Sequence, residues 1–233
     1  MRPCPCVEYS ETQPIQYEQN LANFMGMDIY VDERVFIPRP ETELLVKTVA
    51  EMVSLKKSGD EKYLFLEIGT GSGIIPICIS KLLPESRIIS VDVSRDALSV
   101  AKRNIERLVP DSDITLFYSD IFSAVGDIYF EKFDAIISNP PYVSSKDYEK
   151  LDAWVKSEPK IALWGGVDGL DYYKKIAENG MKFLKKGGLV GVEVGYDQGL
   201  AVKKIFNENS FSNVKSFRDF NNFDRIVIGW KHG

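Results

Sequence analysis

The sequence predicts an α/β domain with an open sheet whose central strands are buried on both faces. Two apolar runs without a helical period, residues 63–68 and 133–137, are typical of such strands. The first run leads through a glycine-rich loop into an apolar helix, and the second stops at two consecutive prolines, which cannot donate to a sheet ladder. Open α/β sheets bind ligands at the carboxyl ends of their strands, so both points are candidate positions for a functional site.

Composition favours a single globular domain with an appendage and argues against several classes of protein. The chain has 233 residues, of which 44% are hydrophobic, and its formal net charge of −5 indicates no basic face for nucleic acid or a membrane surface. No apolar run is long enough to span a bilayer, and the amino-terminal segment lacks the apolar core of a signal peptide. We therefore expect a soluble, cytoplasmic protein.

Histidine and cysteine usage limits the chemistry further. The only histidine is His232, next to the carboxyl-terminal residue, which argues against histidine acid–base catalysis, Ser-His-Asp triads and histidine-ligated zinc. The cysteines give no disulfide framework, and Cys4 and Cys6 lack further ligands for a metal clip. We therefore predict no metal site, and a reaction that uses amides, carboxylates, backbone groups or a cofactor.

Three segments are predicted along the chain, namely a loosely ordered arm, a β-hairpin with a linker, and the main domain, at 1–23, 24–40 and 41–233. Alternation over 27–31 and again over 35–37, around a turn at 32–34, indicates the hairpin. The prolines that follow keep the backbone extended. Acidic residues in Glu41-Thr42-Glu43 then open a helix that is expected to end at Ser58-Gly59-Asp60.

A strand, a glycine loop, a helix and a second strand follow in that order. The loop Gly69-Thr70-Gly71-Ser72-Gly73 allows a ligand to approach the backbone and the N–H groups of the next helix closely. It differs from the G-x-G-x-x-G of dinucleotide sites, because Ile74 stands where the last glycine is required. The run is instead E-x-G-x-G-x-G, with Glu67 at its head. The second strand ends in Asp92, at the spacing where an acid reaches a ribose hydroxyl pair, so the combination indicates a cofactor site rather than a tight turn.

The third strand, 114–118, delivers Asp120 and Ile121 to the same edge of the sheet. Asp120 is suited to accept a hydrogen bond from an adenine amino group, while Ile121 packs on the ring. A solvated loop acid is the alternative interpretation of Asp120.

The run 133–137 ends at Ser138-Asn139-Pro140-Pro141-Tyr142, which fixes Asn139 at the carboxyl end of a central strand. Asn139 offers an amide carbonyl, Pro140 a backbone carbonyl with no competing N–H, and Tyr142 a flat ring. Two acceptors and a ring suit a planar, neutral –NH2 group that is conjugated to a carbonyl or a heteroaromatic ring. A plain strand-ending turn is the alternative, since Asn-Pro-Pro is good turn chemistry.

The remaining chain predicts the second half of the sheet. Residues 143–169 form a long connection, of a length typical of functional or covering segments, in which Trp154 and Trp164 are expected to pack rather than bind ligand. After it we expect a helix, a strand, a second helix and a closing hairpin, at 172–184, 189–194, 200–207, 214–220 and 225–230.

The loop headed by Glu67, the acid Asp92 and the Asn139-Pro140-Pro141-Tyr142 motif together resemble class I S-adenosylmethionine-dependent methyltransferases that act on a planar amine. Upstream, Phe36-Ile37-Pro38-Arg39-Pro40-Glu41-Thr42-Glu43 resembles the block that precedes this domain in bacterial release-factor glutamine methyltransferases. Further likeness to that family lies in three short stretches, Pro14-Ile15-Gln16-Tyr17, Glu158-Pro159 and Gly166-Val167-Asp168-Gly169-Leu170.

The resemblance implies a Rossmann-like, seven-stranded, mostly parallel sheet with an antiparallel last strand, preceded by the short β-hairpin. It implies S-adenosylmethionine as cofactor and methylation of the glutamine side-chain amide in the Gly-Gly-Gln motif of peptide chain release factors. The release factor would be the partner, with no membrane and no direct nucleic acid contact. Catalytic roles would fall on Asn139, Pro140 and Tyr142, and substrate binding on these with Pro141, Phe36 and Arg39. Cofactor binding would fall on Glu67, Gly69, Thr70, Gly71, Ser72, Gly73, Asp92, Val93, Asp120, Ile121 and Asn139.

The sequence departs from that family in two places. The family carries a helical amino-terminal domain that helps engage the release factor, where this sequence has only a short arm, and this bears on the protein partner more than on the chemistry. Ile121 stands where some members have an aromatic residue against the adenine, from which we expect lower cofactor affinity. Arg39 and Glu41 either shape the substrate entrance or pair with each other, and the pairing is the favoured interpretation.

Two other functions fit parts of the same pattern. An adenine amino-group methyltransferase on DNA or RNA could use the Asn-Pro-Pro-Tyr motif to bind an exocyclic amine in the same way. The upstream block, the net negative charge and the lack of an obvious base-recognition domain argue against this function. A cofactor-binding interaction protein without transfer activity is the other alternative, although every expected catalytic position is filled.

Overall fold

A computed structural model describes residues 13–55 and 62–233, which form one seven-stranded sheet, a two-stranded hairpin and helices on both faces of the sheet. The strands are β1 (Ala22–Phe24), β2 (Met27–Ile29), β3 (Tyr63–Ile68), β4 (Ser86–Asp92), β5 (Asp113–Tyr118), β6 (Phe133–Ser138), β7 (Leu184–Glu193), β8 (Ser212–Arg218) and β9 (Asp224–Trp230). The α-helices are α1 (Ile15–Gln19), α2 (Pro40–Ser54), α3 (Ile74–Leu82), α4 (Arg95–Leu108), α5 (Ser145–Glu149), α6 (Lys160–Leu163), α7 (Asp171–Phe183) and α8 (Gly199–Glu208).

The large sheet has the order β5-β4-β3-β6-β7-β9-β8, with β9 antiparallel to both of its neighbours and every other pair parallel. The seven strands and the antiparallel last strand implied by the resemblance are therefore confirmed. From β3 the chain first builds outward through β4 and β5, and it then returns to the other side of β3 with β6. The crevice between the carboxyl ends of β3 and β6 is thus the point where the strand order reverses, which is where such sheets bind ligands.

The central strands are covered on both faces, which explains why they read as continuous apolar runs. Along β3, Phe65 packs into an apolar cluster with α2, α3 and α4, while Leu66 packs into a second cluster with α7 and α8. Successive side chains of a strand point to opposite faces, so each residue of β3 meets a helical layer rather than water. The helices therefore hold the ends of β3 and β6 in a fixed position for the site.

A hairpin is present, but only its second strand, β2, lies within a predicted strand. β1 pairs with β2 around Met25 and Gly26, which both have positive φ, as a two-residue hairpin turn requires. The expected pairing of 27–31 with 35–37 is wrong. Its turn is closed by the carboxylate of Asp32, which accepts hydrogen bonds from the backbone and guanidinium N–H groups of Arg34 at 3.1 and 2.9 Å, and not by a strand ladder.

The described part of the predicted loose arm packs against the domain. Tyr17 is buried in the first cluster, and its hydroxyl donates to the Val35 carbonyl at 2.6 Å. On α4, Asn104 accepts from the backbone N–H of Tyr30 and donates to the carbonyls of Tyr30 and Ser72, each at 2.9 Å. This one side chain ties the strand-to-helix linker to the glycine loop, and the division into segments at 24 and 41 stays a prediction.

Some predicted features lie outside the described residues, and some predicted elements begin or end at other residues in the structure. Cys4, Cys6 and the predicted helix end at 58–60 lie outside the described residues, and α2 ends at Ser54. β7 starts at Leu184, which was predicted to belong to the preceding helix. Residues 185–188 are polar or glycine and lack the apolar pattern of a strand, so the start of β7 was not predicted. No helix within 13–55 and 62–233 is long and apolar enough to cross a membrane, and these residues contain no cluster of metal-ligating side chains.

Candidate active site

The glycine loop and the Asn-Pro-Pro-Tyr motif meet at the carboxyl ends of β3 and β6. The parallel register pairs Ile68 with Ser138, and the Ser138 hydroxyl donates to the Ile68 carbonyl at 2.7 Å. One residue further on, a Cβ placed on Gly69 would lie 3.9 Å from the backbone oxygen of Asn139. The two motifs predicted from separate parts of the sequence therefore share one crevice.

A cavity of about 520 Å³ occupies this crevice. With one exception, every predicted catalytic, substrate-binding and cofactor-binding residue lines it: Phe36, Arg39, Glu67, Gly69, Thr70, Gly71, Ser72, Asp92, Val93, Asp120, Ile121, Asn139, Pro140, Pro141 and Tyr142. The exception is Gly73, which lies behind the loop, where an added Cβ would come within 3.0 Å of the Ala101 Cβ on α4. Gly73 thus allows α3 to start close to α4, instead of facing the cavity.

The glycine loop is anchored to the end of β4 and turns in a conformation that favours glycine. Gly69 and Gly71 have φ of 84° and 53°, in the left-handed region. The backbone N–H groups of Gly69 and Thr70 both donate to the Val91 carbonyl, at 2.8 and 3.1 Å. The Thr70 and Ser90 hydroxyls lie 2.7 Å apart. These bonds fix the loop so that its backbone forms one wall of the cavity.

Two carboxylates stand at the ends of β3 and β4. Glu67 is fully buried, and burial raises its pKa well above the usual range, although its Oε2 accepts a short hydrogen bond from the Ser90 hydroxyl. Its Oε1 is buried with no hydrogen-bond partner in the described part of the chain. Asp92 accepts backbone N–H groups from Gly71 at 2.9 Å and from Ser94 at 2.8 Å, and burial still raises its pKa. In the ionised carboxylate of Glu67, this Oε1 is an acceptor that lacks a donor, which a ligand's amino group would provide.

Asp120 and Ile121 follow β5 and border the cavity beside Asp92. Ile121 is buried in the second apolar cluster, whereas Asp120 is exposed. Both interpretations of Asp120, as an acceptor for an adenine amino group and as a solvated loop acid, are compatible with this position, and its role stays a prediction.

A buried chain of hydrogen bonds fixes the side chain of Asn139. Its Nδ2 donates to the Thr42 hydroxyl at 3.0 Å, and this hydroxyl donates to Glu193 Oε2 at 2.7 Å. Thr42 and Glu193 are both buried. Asn139 Oδ1 accepts no hydrogen bond from the residues that the structure describes, and it remains an acceptor at the cavity wall.

Sequence reasoning did not assign a role to Thr42 or to Glu193. Thr42 lies within the block 36–43 upstream of the domain, where the sequence predicts only that it belongs to the first turn of a helix. Glu193 is an acid at the carboxyl end of the apolar strand β7, the same kind of position as Asp92 at the end of β4. That likeness was the available signal, and it would have placed Glu193 at this edge of the sheet.

The predicted pairing of Arg39 with Glu41 is wrong. Arg39 makes a short, buried ion pair with Glu158, which also accepts the backbone N–H of Ile37 at 3.0 Å. Glu41 lies 3.7 Å from Arg225 instead. Burial makes Glu158 the stronger partner for Arg39, because its carboxylate has little water to replace the guanidinium. Arg39 also stands over the ring of Phe36, 4.7 Å from its centroid.

The long connection after the motif covers this side of the cavity. An added Cβ on Gly165 would lie 2.5 Å from the Pro141 carbonyl, so this segment lies directly on the motif. Gln198 Nε2 donates to the Tyr142 carbonyl at 2.9 Å and to the Gly169 carbonyl at 3.2 Å, which joins the connection to the start of α8. The tyrosine ring at the cavity wall is therefore held by a fixed backbone.

Comparison with known proteins identifies relatives over nearly the whole chain. Residues 40–157 match the family described as Methyltransferase small domain. Proteins named release factor glutamine methyltransferase, from Clostridium acetobutylicum and Streptococcus pneumoniae, are 36% and 37% identical to this chain, over 94% and 93% of it and 76% and 74% of their own lengths.

A solved structure agrees with these relatives. The protein-(glutamine-N5) methyltransferase (release factor-specific) of Alicyclobacillus acidocaldarius is 26% identical, has a TM-score of 0.50, and matches over 84% of this chain and 95% of its own. A methyltransferase from Pyrococcus furiosus, at 22% identity and a TM-score of 0.64 over 90% of this chain and 91% of its own, shares the fold. From this identity and coverage, the chain belongs to the release factor glutamine methyltransferase family.

Proposed function

We propose that this protein transfers a methyl group from S-adenosylmethionine to the side-chain amide nitrogen of a glutamine in the Gly-Gly-Gln motif of peptide chain release factors. The observation that carries this proposal is the fixed carboxamide of Asn139, whose oxygen remains an acceptor in the cavity that the glycine loop also lines. The name that these relatives carry, release factor glutamine methyltransferase, supports the glutamine and the release factor as targets. We expect the reaction in the cytoplasm, where release factors meet ribosomes.

The cavity residues fit S-adenosylmethionine. The unpartnered, buried Glu67 Oε1 suits the amino group of the cofactor, and the carboxylate of Asp92 suits the ribose hydroxyl pair. Asp120 and Ile121 are proposed to meet the adenine, and the backbone from Gly69 to Ser72 to lie along the cofactor. When bound, the cofactor supplies a methyl group on positively charged sulfur, which keeps the electron pair of the broken carbon–sulfur bond.

The substrate nitrogen needs help because an amide lone pair is delocalised, as the barrier of about 18–20 kcal/mol to peptide-bond rotation indicates. We propose that Asn139 Oδ1 and the Pro140 carbonyl accept the two N–H hydrogens of the glutamine amide. Neither oxygen accepts a hydrogen bond within the described part of the chain. Two acceptors orient the nitrogen and stabilise the positive charge that develops as the N–C bond forms, after which the nitrogen loses one proton to solvent.

Aromatic and basic residues next to the motif are proposed to hold the rest of the substrate. Tyr142 and Phe36 pack against the same small apolar cluster at the cavity wall and would enclose the amide plane. Arg39 Nη1 is buried and has no hydrogen-bond partner among the described residues. It is available to donate to a backbone carbonyl on either side of the glutamine.

Labelled S-adenosylmethionine offered with purified release factor, with DNA and RNA, and with neither tests the assignment. We expect label in the release factor alone, and digestion should place it on the peptide that contains Gly-Gly-Gln. Label in nucleic acid would instead indicate an adenine amino-group methyltransferase. Cofactor binding without any transfer would indicate a binding protein, and either result would refute the proposal.

A further inference from the structure

We infer that Thr42 and Glu193 are positioning residues that hold the Asn139 amide in the one orientation that presents its oxygen to the substrate. The inference rests on the proposed function, because it concerns the same amide nitrogen. It goes further by assigning the orientation of Asn139 to two residues that contact neither substrate nor cofactor in the mechanism above.

The geometry links three elements through one hydroxyl. Thr42 lies in the first turn of α2, Glu193 is the last residue of β7, and Asn139 follows β6. The Thr42 hydroxyl lies 3.0 Å from Asn139 Nδ2 and 2.7 Å from Glu193 Oε2. Thr42 is 2% exposed and Glu193 is 1% exposed, so water does not compete for these bonds.

The single hydrogen of the Thr42 hydroxyl determines which way the Asn139 amide faces. An ionised carboxylate can only accept, so the single hydrogen of the Thr42 hydroxyl must point to Glu193. The hydroxyl can then only accept from Asn139, which requires the NH2 group on that side and leaves the oxygen toward the cavity. In the opposite orientation, with N and O exchanged, the amide would present donors to the N–H groups of the substrate.

Protonation of Glu193 removes this constraint. A neutral carboxyl can donate to Thr42, the hydroxyl can then donate to Asn139 Oδ1, and the amide can turn over. The pKa of Glu193 is raised to about 7, chiefly by burial. Glu41 from α2 contributes to this rise, while the Thr42 hydroxyl, Arg225 from β9 and Arg39 oppose it. The hydroxyls of Tyr142 and of Tyr173, which donates to the Glu193 backbone carbonyl at 3.0 Å, complete the neighbouring titratable groups.

The first test removes the hydroxyl while keeping its volume. With saturating cofactor, Thr42→Val should lower kcat for methylation of the release factor about tenfold, the effect of losing one ordinary hydrogen bond. Thr42→Ser, which retains the hydroxyl, should restore most of the rate. Thr48→Val changes a buried threonine of the same helix that does not line the cavity, and it should leave kcat unchanged. A folded Thr42→Val protein with the wild-type kcat would overturn the inference.

The second test follows the hydrogen bonds from Glu193 through Thr42 to Asn139 by NMR, which does not require activity. The NH2 resonances of Asn139, assigned by their loss in Asn139→Ala, should shift with pH with a midpoint near that of Glu193, about 7. The shift should disappear in Glu193→Gln. In the wild type, kcat should fall below about pH 7, where Glu193 becomes protonated, and this fall should also be absent in Glu193→Gln. NH2 resonances of the wild type that do not change between about pH 5.5 and about pH 8.5 would overturn the inference. A clear titration in a protein that methylates nothing would instead refute the proposed function alone.

Discussion

At the scale of single residues, Asp92 illustrates how one side chain both shapes the loop and lines the cavity. Its two oxygens accept the backbone N–H groups of Gly71 and Ser94, and each oxygen retains a lone pair for a ribose hydroxyl. Asp92→Ala should therefore weaken S-adenosylmethionine binding on the order of 10²-fold, because charge-assisted hydrogen bonds are lost. Titration calorimetry measures this change directly.

The matched control for Asp92 is Asp96→Ala, an exposed acid in the first turn of the next helix. It removes the same charge close to the site without removing a group that lines the cavity. Equal affinities of the two variants would show that only net charge matters, and would contradict the assignment of Asp92 to the ribose.

Asp92 and Asn139 could be predicted because each ends an apolar strand, and the end of a strand is visible in the local sequence. Their partners could not be predicted in the same way. Thr42 and Glu193 are separated by 151 residues, and Arg39 and Glu158 by 119. Only the folded sheet brings these residues together, so spacing along the chain contains no signal for the pairs, and the nearby Glu41 looked like the natural partner of Arg39.

At the scale of elements, the start of α3 depends on how closely it can approach α4. Gly73 has a φ of 82°, and a Cβ there would lie 3.0 Å from Ala101 Cβ and 3.1 Å from Ala101 Cα. Gly73→Ala should therefore lower the free energy of unfolding by about 1 kcal/mol for the left-handed backbone and by a further ~1–3 kcal/mol for overpacking. Denaturant unfolding measures the loss.

Gly26→Ala separates these two costs. Gly26 has a φ of 73°, but an added Cβ would meet nothing within 4 Å. It should therefore lose only the backbone part, about 1 kcal/mol. If both alanine variants lost the same stability, the close contact between α3 and α4 would not be what requires glycine at position 73.

The elements also show where sequence patterns are strong and where they fail. The run 63–68 matches β3 because strands that are buried on both faces must be apolar throughout. The hairpin was predicted from 27 to 37 but spans 22 to 29, because alternation over 35–37 is typical of a strand. In the fold, these residues are linker backbone held by Tyr17 and Glu158, through bonds to Val35 and Ile37.

At the scale of the whole molecule, the buried carboxylates make folding depend on pH. Burial raises the pKa of Glu193 from 4.5 to about 7, so between these values the folded state binds a proton more readily than the unfolded state. The contribution of this group to the free energy of unfolding therefore falls as pH rises through that range, by about 3 kcal/mol in all. Glu193→Gln should remove that fall.

The measurement is the free energy of unfolding of wild type and variant at about pH 5 and about pH 8. The stability of Glu193→Gln relative to wild type should be higher at the upper pH than at the lower. Glu178→Gln, which makes the same substitution at an exposed glutamate of α7, is the control for the substitution itself. A pH-independent difference for Glu193→Gln would mean that burial does not raise the pKa of this carboxyl.

Single-turnover methylation of release factor tests whether Asn139 holds the substrate nitrogen for methyl transfer. Wild type should place one methyl group on the glutamine of the Gly-Gly-Gln motif, as read by mass spectrometry of the peptide. Asn139→Ala should be slower by on the order of 10²-fold or more, while S-adenosylmethionine binding stays detectable and Asn207→Ala, an exposed control on α8, keeps the full rate. A near-normal rate in Asn139→Ala would mean that Asn139 does not hold the substrate nitrogen.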